Sequence, residues 1–302
     1  MSSDNAWPNV DVAEWAPTKR SLHLCLQMLG KLRVLMSPSQ PNWMFTALLL
    51  SARGLTTGPL PVGRDALEAS LDVFDSELVV ERSTGERRTV SLVPARTVAD
   101  VYADLRDALA ALGVNRASST TPQELADTTP LHEDRKPASY DPAPVLRWFT
   151  AATATAGVFD RWRAHFFGRT GIQVWWGALD VSLMLFNGRH VEAPRDRGYL
   201  LRYDLDAEPM NVGLYYGDEK TKPFFYGYAF PEPVDAESLS MAPAAATRST
   251  TLNEWTLPYE AVREASDPER ELTSFLDAVY AACYTAGGWD RTSLTYAQPV
   301  RR

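Results

Sequence analysis

The sequence predicts an α+β protein made of two similar halves, each ordered as helix, strand meander and helix, around a largely antiparallel sheet. Amphipathic helical patterns alternate with groups of short segments in which polar and apolar residues alternate. The chain has 302 residues, 45% of them hydrophobic and 23% charged, which is typical of a globular protein with a large core. We expect a pocket between the halves. The predicted segments are a polar lead-in, the first half, a Pro/Ser/Thr-rich wrapping linker, the second half and a tail, at residues 1–16, 17–114, 115–143, 144–290 and 291–302.

Charge and cysteine content argue against several classes of protein. The formal net charge is −8, so we expect no basic surface for nucleic acid or for an anionic membrane. The two cysteines, Cys25 and Cys283, share no motif, which favours a reducing compartment over a disulfide framework. The N-terminal residues are polar, and no window approaches about eighteen apolar residues. We therefore expect a cytoplasmic protein, and the oligomeric state stays open.

In the first half, leucines at helical spacing predict a helix that is capped by Thr18 and runs to about Met36. The apolar run Trp43–Arg53 predicts a buried strand. A helix from Val98 to Leu112, capped by Thr97, closes this half. Between them, alternating segments predict a meander at Leu67–Phe74, Leu78–Arg82 and Arg88–Val93.

In the second half, a long helix is predicted from about Pro144 to Phe167, with Asp141 as its cap. The stretch Val174–Arg189 predicts one long buried strand that ends at an Asn-Gly turn. The last helix is predicted from about Pro268 to Thr285. Aromatic strands are expected between them, at Glu208–Gly217, Pro223–Phe230 and Thr250–Leu257.

The two halves share an order of features that suggests an internal duplication. Each has a helix that ends in glycine and a base, Gly30-Lys31 and Gly168-Arg169, followed by a strand led by tryptophan. Chance repetition of a common α+β order explains the similarity equally well, so both interpretations stay open. Under duplication, His23, Gln27 and Lys31 correspond to Arg161, His165 and Arg169.

The sequence lacks the motifs of several enzyme classes. It contains no glycine-rich phosphate-binding loop and no nucleophile elbow. Its four histidines show no spacing typical of a metal site. We therefore expect neither a cofactor nor a metal.

Two carboxylates are the candidate catalytic groups. Asp180 lies within an apolar strand, where a charge must find a partner or become protonated. It either pairs with an arginine such as Arg53 or Arg189, or has a raised pKa and acts as an acid or base. Glu208, at the start of an aromatic strand, is the second candidate unless it is an ordinary surface residue.

The basic and polar candidates share helix faces. His23, Gln27 and Lys31 are spaced i, i+4, i+8, so they lie on one face, which either is solvated or binds an anionic ligand. The same alternatives apply to the second stripe. Aromatic side chains near these groups would suit an apolar, partly planar ligand, unless they are core residues. The candidate substrate-binding residues are Gln27, Lys31, Trp43, Arg53, His165, Arg169 and Trp176.

Several segments together resemble a known family: SLHLCLQMLGKLRV, SARGLTT, PASYDP, FFGR, VWWGALDVSLMLFNGR and FFYGYAFPEP. They resemble a bacterial domain of unknown function, catalogued as number 5996, over roughly Trp15 to Trp289. The resemblance implies one conserved unit and no established activity. This chain departs from the family pattern at Asp206-Ala207-Glu208, where members tend to have Ser-His-Glu, and at Arg135 and Pro137, where members are rich in histidine.

The function expected from these features is a cofactor-independent, metal-free enzyme that acts by acid–base catalysis on a hydrophobic small molecule with an anionic or polar group. Isomerisation, cyclisation or elimination would fit. In this hypothesis Asp180 or Glu208 is the base, His23 is the acid or proton shuttle, and Lys31 and Arg169 hold the anionic group. The alternative is a non-catalytic protein that binds or sequesters a small molecule in the same pocket.

Overall fold

The computed structural model describes residues 6–116, 118–192 and 207–295. Asp206 and the outermost residues of the predicted lead-in and tail lie outside this part. The chain is α+β, as predicted, and its sheets are antiparallel. It divides into two compact units. The first unit comprises Val10–Thr150 and Gln173–Asp180, and the second unit comprises Met1–Asn9, Ala151–Ile172 and Val181–Arg302.

The described helices are α1 (Ala16–Met36), α2 (Val98–Ala111), α3 (Pro142–Arg163), α4 (Tyr259–Glu264), α5 (Pro268–Thr285) and α6 (Arg291–Leu294). The described strands are β1 (Leu49–Ser51), β2 (Gly54–Thr56), β3 (Leu60–Val62), β4 (Asp65–Asp72), β5 (Glu77–Arg82), β6 (Arg87–Ser91), β7 (Gln173–Trp175), β8 (Asp180–His190), β9 (Ala207–Tyr215), β10 (Phe224–Ala229), β11 (Thr247–Ser249) and β12 (Glu254–Pro258). No helix in the described part of the chain is long and apolar enough to cross a membrane.

In the first unit, α1 is the central helix. Every residue from Ser21 to Leu32 is buried, so α1 packs on all sides rather than along one stripe. It contacts α2 and strands β3 and β4. The sheet has the order β1-β2-β4-β5-β6, with β3 also paired to β4. The predicted meander and α2 are confirmed, and the Thr97 side chain accepts the cap hydrogen bond from the Asp100 amide.

Two details of the first unit differ from the prediction. Thr18 does not cap α1, because the helix begins at Ala16 after Trp15, and the Thr18 hydroxyl instead accepts a hydrogen bond from the Asp141 amide (3.1 Å). The predicted strand Trp43–Arg53 is wrong over most of its length, because only Leu49–Ser51 is a strand. Trp43 has a φ of 56°, and this left-handed backbone cannot continue a strand.

Residues 118–141, called the wrapping segment below, contact both α1 and α2. Arg20 on α1 pairs with Asp127 (2.9 Å) and with the buried Asp134 (2.6 Å). The Ala99 amide on α2 donates to the Asp134 carbonyl (3.0 Å). This irregular segment is therefore held against both helices by side-chain and backbone contacts.

In the second unit, strands β11, β12, β10, β9 and β8 pair in that order, and α5 packs on β9 and β10. Helix α5 has the predicted bounds, and Asp141 caps α3 as predicted by accepting from the Ala143 amide (2.9 Å).

The predicted single strand Val174–Arg189 is wrong, because it is divided between β7 and β8. A turn separates the two, with the Leu179 amide bonded to the Trp175 carbonyl (2.7 Å) and Leu179 at a φ of 70°.

The internal duplication is not confirmed. Helix α3 ends at Arg163 instead of Phe167, so His165 and Arg169 are not on a helix face with Arg161. Gly30 lies inside α1 and does not end it. The two polar stripes are therefore not structurally equivalent.

Candidate functional site

The polar face of α1 is buried. His23, Gln27 and Lys31 are 6%, 0% and 5% exposed. Of the two sequence alternatives, the solvated face is therefore excluded, and the partners of these three side chains decide what the face does.

Gln27 and Lys31 bind the backbone of the wrapping segment. The Gln27 side-chain amide donates to the Gln123 carbonyl (2.7 Å) and accepts from the Gln123 amide (2.8 Å). The Lys31 ammonium donates to the Thr121 carbonyl (2.7 Å), and burial lowers the pKa of Lys31. These bonds satisfy the buried polar groups from within the protein.

Trp176 lies directly on α1 at Gly30. A Cβ atom at position 30 would stand 2.2 Å from the indole Cδ1, so only glycine lets the ring approach this closely. The indole Nε1 donates to the Thr46 carbonyl (2.9 Å), and the Lys31 ammonium lies 5.6 Å from the ring centre. The tryptophan therefore fills the space beside the polar face.

His23 holds the backbone of the same tryptophan. Its Nε2 lies 2.9 Å from the Trp176 carbonyl, which can only accept, so Nε2 carries the proton. Burial, together with the charge of Lys19, lowers the pKa of His23 to about 4. The imidazole is therefore neutral near pH 7 and acts as a hydrogen-bond donor to the turn.

The arginines predicted as partners of Asp180 have other carboxylates. Asp180 is buried at the start of β8. Arg53 is exposed and pairs with Asp72 and Asp75 (2.8 Å to Asp75).

Trp43, another predicted binding residue, is half-buried and packs against Phe45, with ring centres 5.8 Å apart.

Glu208 in the second unit is part of an ion pair. Its carboxylate accepts from Arg189 Nε (2.7 Å) and from the Asn187 amide group. Arg189 also donates to the carbonyls of Gly287 (3.3 Å) and Gly288 (3.1 Å). The Glu208–Arg189 pair therefore links strands β8 and β9, and Arg189 connects them to the segment that follows α5.

A cleft of about 500 Å³ lies within the second unit, between the end of α3, one face of α5 and helix α6. Its floor consists of buried side chains, which are Val158, Trp162, Phe166 and Tyr280. Its rim consists of polar or charged side chains, which are Arg161, His165, Glu269, Thr273, Asp277, Arg291 and Thr295. The structure thus places one predicted binding residue, His165, at this cleft.

Three aromatic rings form the floor in close contact. The ring centre of Phe166 lies 4.6 Å from that of Trp162 and 4.7 Å from that of Tyr280. The Tyr280 hydroxyl is buried and has no hydrogen-bond partner in the described part of the chain. Burial raises the pKa of Tyr280, and the charge of Arg291 acts in the opposite direction.

The charged groups at the rim contact neighbouring side chains. Arg161 and Glu269 form a salt bridge of 2.8 Å. The Trp162 indole donates to Asp277 Oδ1 (2.9 Å). The Arg291 guanidinium lies over the Tyr284 ring, 5.1 Å from its centre.

Among the described residues, no His, Cys, Asp and Glu side chains group closely enough to hold a metal ion.

A model of a family of unknown function, DUF5996, matches residues 7–296. The chain belongs to this family. Searches of curated proteins and of solved structures each found no match. The DUF5996 match covers the polar face of α1 and the whole cleft, so both are parts of the family domain.

Sequence reasoning missed most of the cleft in this DUF5996 chain. A usable signal was present in α5, where Glu269, Thr273 and Asp277 repeat every four residues and therefore share one face. Arg291 carried no such signal, because α6 is a single short turn. Arg169, which was predicted to bind the ligand, is exposed and donates to the Phe166 carbonyl.

Proposed function

We propose that the second unit binds a small molecule with an apolar, planar body in the cleft between α3, α5 and α6. The observation that supports this proposal is the buried aromatic floor beneath a charged rim. Small-molecule sites are typically concave, about 300–1,000 Å³ in volume, and largely apolar with a few polar groups. The cleft has a volume of about 500 Å³, which lies within this range, and it combines a buried aromatic floor with polar groups at its rim.

The polar face of α1 supports binding less well than the cleft does. Its hydrogen-bonding groups are occupied by backbone atoms of Thr121, Gln123 and Trp176. The Trp176 ring takes up the space that a ligand would need. This face therefore stabilises the first unit, and the ligand belongs in the second.

The proposal is tested by filling the cleft. We expect the uncharged probe 2-naphthamide to show saturation-transfer NMR contacts with the intact protein, and Thr273→Trp to weaken its binding at least about tenfold, because the new ring occupies the cleft. Ser274→Trp, at the next position outside the cleft lining, is the matched control and should bind like the parent protein. Failure of the parent protein to bind, or equal losses in both variants, would contradict the proposal.

An acid–base reaction on the bound molecule is the second candidate function. His165 is exposed at the rim, and its side chain has no hydrogen-bond partner among the described residues. Histidine is the side chain suited to proton transfer near neutral pH. If the cleft catalyses proton transfer, the protein will accelerate deuterium exchange of the methyl protons of 2-acetonaphthone, and His165→Ala will not. Equal exchange rates with and without the parent protein would limit the function to binding.

A further inference from the structure

We infer that the ligand of the cleft is an aromatic carboxylate whose negative charge is bound by Arg291. This inference rests on the proposed function and adds the chemical class of the ligand. It depends on which rim groups already have a partner and which do not.

Both acidic groups at the rim are already engaged. Glu269 is paired with Arg161 at 2.8 Å. Asp277 accepts a hydrogen bond from the Trp162 indole at 2.9 Å. An anionic ligand would leave both of these contacts in place.

Arg291 and His165 are two rim residues whose side-chain hydrogen-bond donors are not used by any described residue. In the described part of the chain neither side chain has a hydrogen-bond acceptor as partner. The guanidinium of Arg291 rests on the face of the Tyr284 ring, so its N–H edges stay available for oxygen acceptors. A carboxylate matches the fork of N–H groups that an arginine presents, and such charge-assisted bonds are about twice as strong as neutral ones.

The floor contains one more unsatisfied group. Tyr280 is 5% exposed and lines the cleft, and its hydroxyl has no partner among the described residues. Buried hydroxyls in proteins are nearly always hydrogen-bonded, either to protein atoms or to an ordered water molecule. Because this hydroxyl oxygen is buried below the surface of the cleft, an aromatic ligand would pack its ring against Trp162 and Phe166 without contacting the hydroxyl.

The charge of the whole protein makes the inference easy to test. With a formal net charge of −8, the protein favours cations non-specifically, so a preference for an anion can come only from local groups. The test compares three probes with the same ring: 2-naphthoate, 2-naphthamide and 2-naphthylmethylamine. Their dissociation constants are measured by isothermal titration calorimetry at physiological salt.

We expect 2-naphthoate to bind about tenfold more tightly than the amide, and the amine to bind most weakly. Arg291→Met, which keeps an apolar stem, should make the carboxylate and the amide bind equally. Arg270→Met, on an exposed position of α5 outside the cleft lining, should leave the preference unchanged.

Equal binding of 2-naphthoate and 2-naphthamide by the parent protein, or tightest binding of the amine, would overturn the inference and leave the proposed function standing. An anion preference that survives Arg291→Met would also overturn it. If none of the three probes binds to the parent protein, the proposed function fails with it.

Discussion

Gly30→Ala tests the contact between Gly30 and the Trp176 ring beside the buried polar face of α1. Glycine is an unfavourable residue inside a helix, so local propensity alone predicts that alanine stabilises α1 by about 1 kcal/mol. The tertiary structure predicts the opposite, because Trp176 lies on the Cα of Gly30. The two effects have different signs, and their magnitudes decide the outcome.

The added Cβ would meet three atoms of the Trp176 ring at 2.2–2.3 Å. The ring cannot retreat freely, because its Nε1 is bonded to Thr46 and its backbone carbonyl to His23. Overpacking of a core costs about 1–3 kcal/mol. Loss of the indole hydrogen bond adds about 1 kcal/mol. After the gain in helix propensity is subtracted, Gly30→Ala should destabilise the protein by about 1–3 kcal/mol.

Urea unfolding, followed by circular dichroism and tryptophan fluorescence, measures this loss. Gly157→Ala in α3 is the matched control, because its Cβ would meet only the flexible end of Arg161 at 3.4 Å. It should leave stability unchanged or raise it by up to about 1 kcal/mol. A Gly30→Ala variant as stable as the parent protein or more stable would refute the placement of Trp176 on α1.

Two further predictions concern charged groups. The pKa of His23 is about 4 against an ordinary value of 6.5, so the unfolded chain binds more protons between these values. Stability should therefore fall as the pH drops from 6.5, by about 2 kcal/mol at pH 5, and His23→Gln should remove this part of the loss in urea titrations. Arg189→Met and Glu208→Gln should each cost about 1 kcal/mol, and the double variant no more than either; additive losses would show that the two side chains are not coupled.

Local sequence determined those elements whose signals lie within a few residues. Helix α5 was predicted with its observed bounds, Pro268–Thr285, because the proline at its start and the glycines Gly287 and Gly288 after its end are local signals. The meander of β4, β5 and β6 was predicted from the alternation of polar and apolar residues, because successive side chains of a strand point to opposite faces. The strand prediction over Trp43–Arg53 failed because an apolar run does not reveal a left-handed backbone.

The amino-acid sequence by itself established an α+β domain, its family and the buried face of leucines on α1. It also placed His23, Gln27 and Lys31 on one side of that helix, since the helical period alone requires it. Only the tertiary structure decided that this side is filled by Trp176, and that a cleft opens instead between α3, α5 and α6. The physical reason is that both results depend on contacts between segments far apart in the chain, which no local pattern encodes.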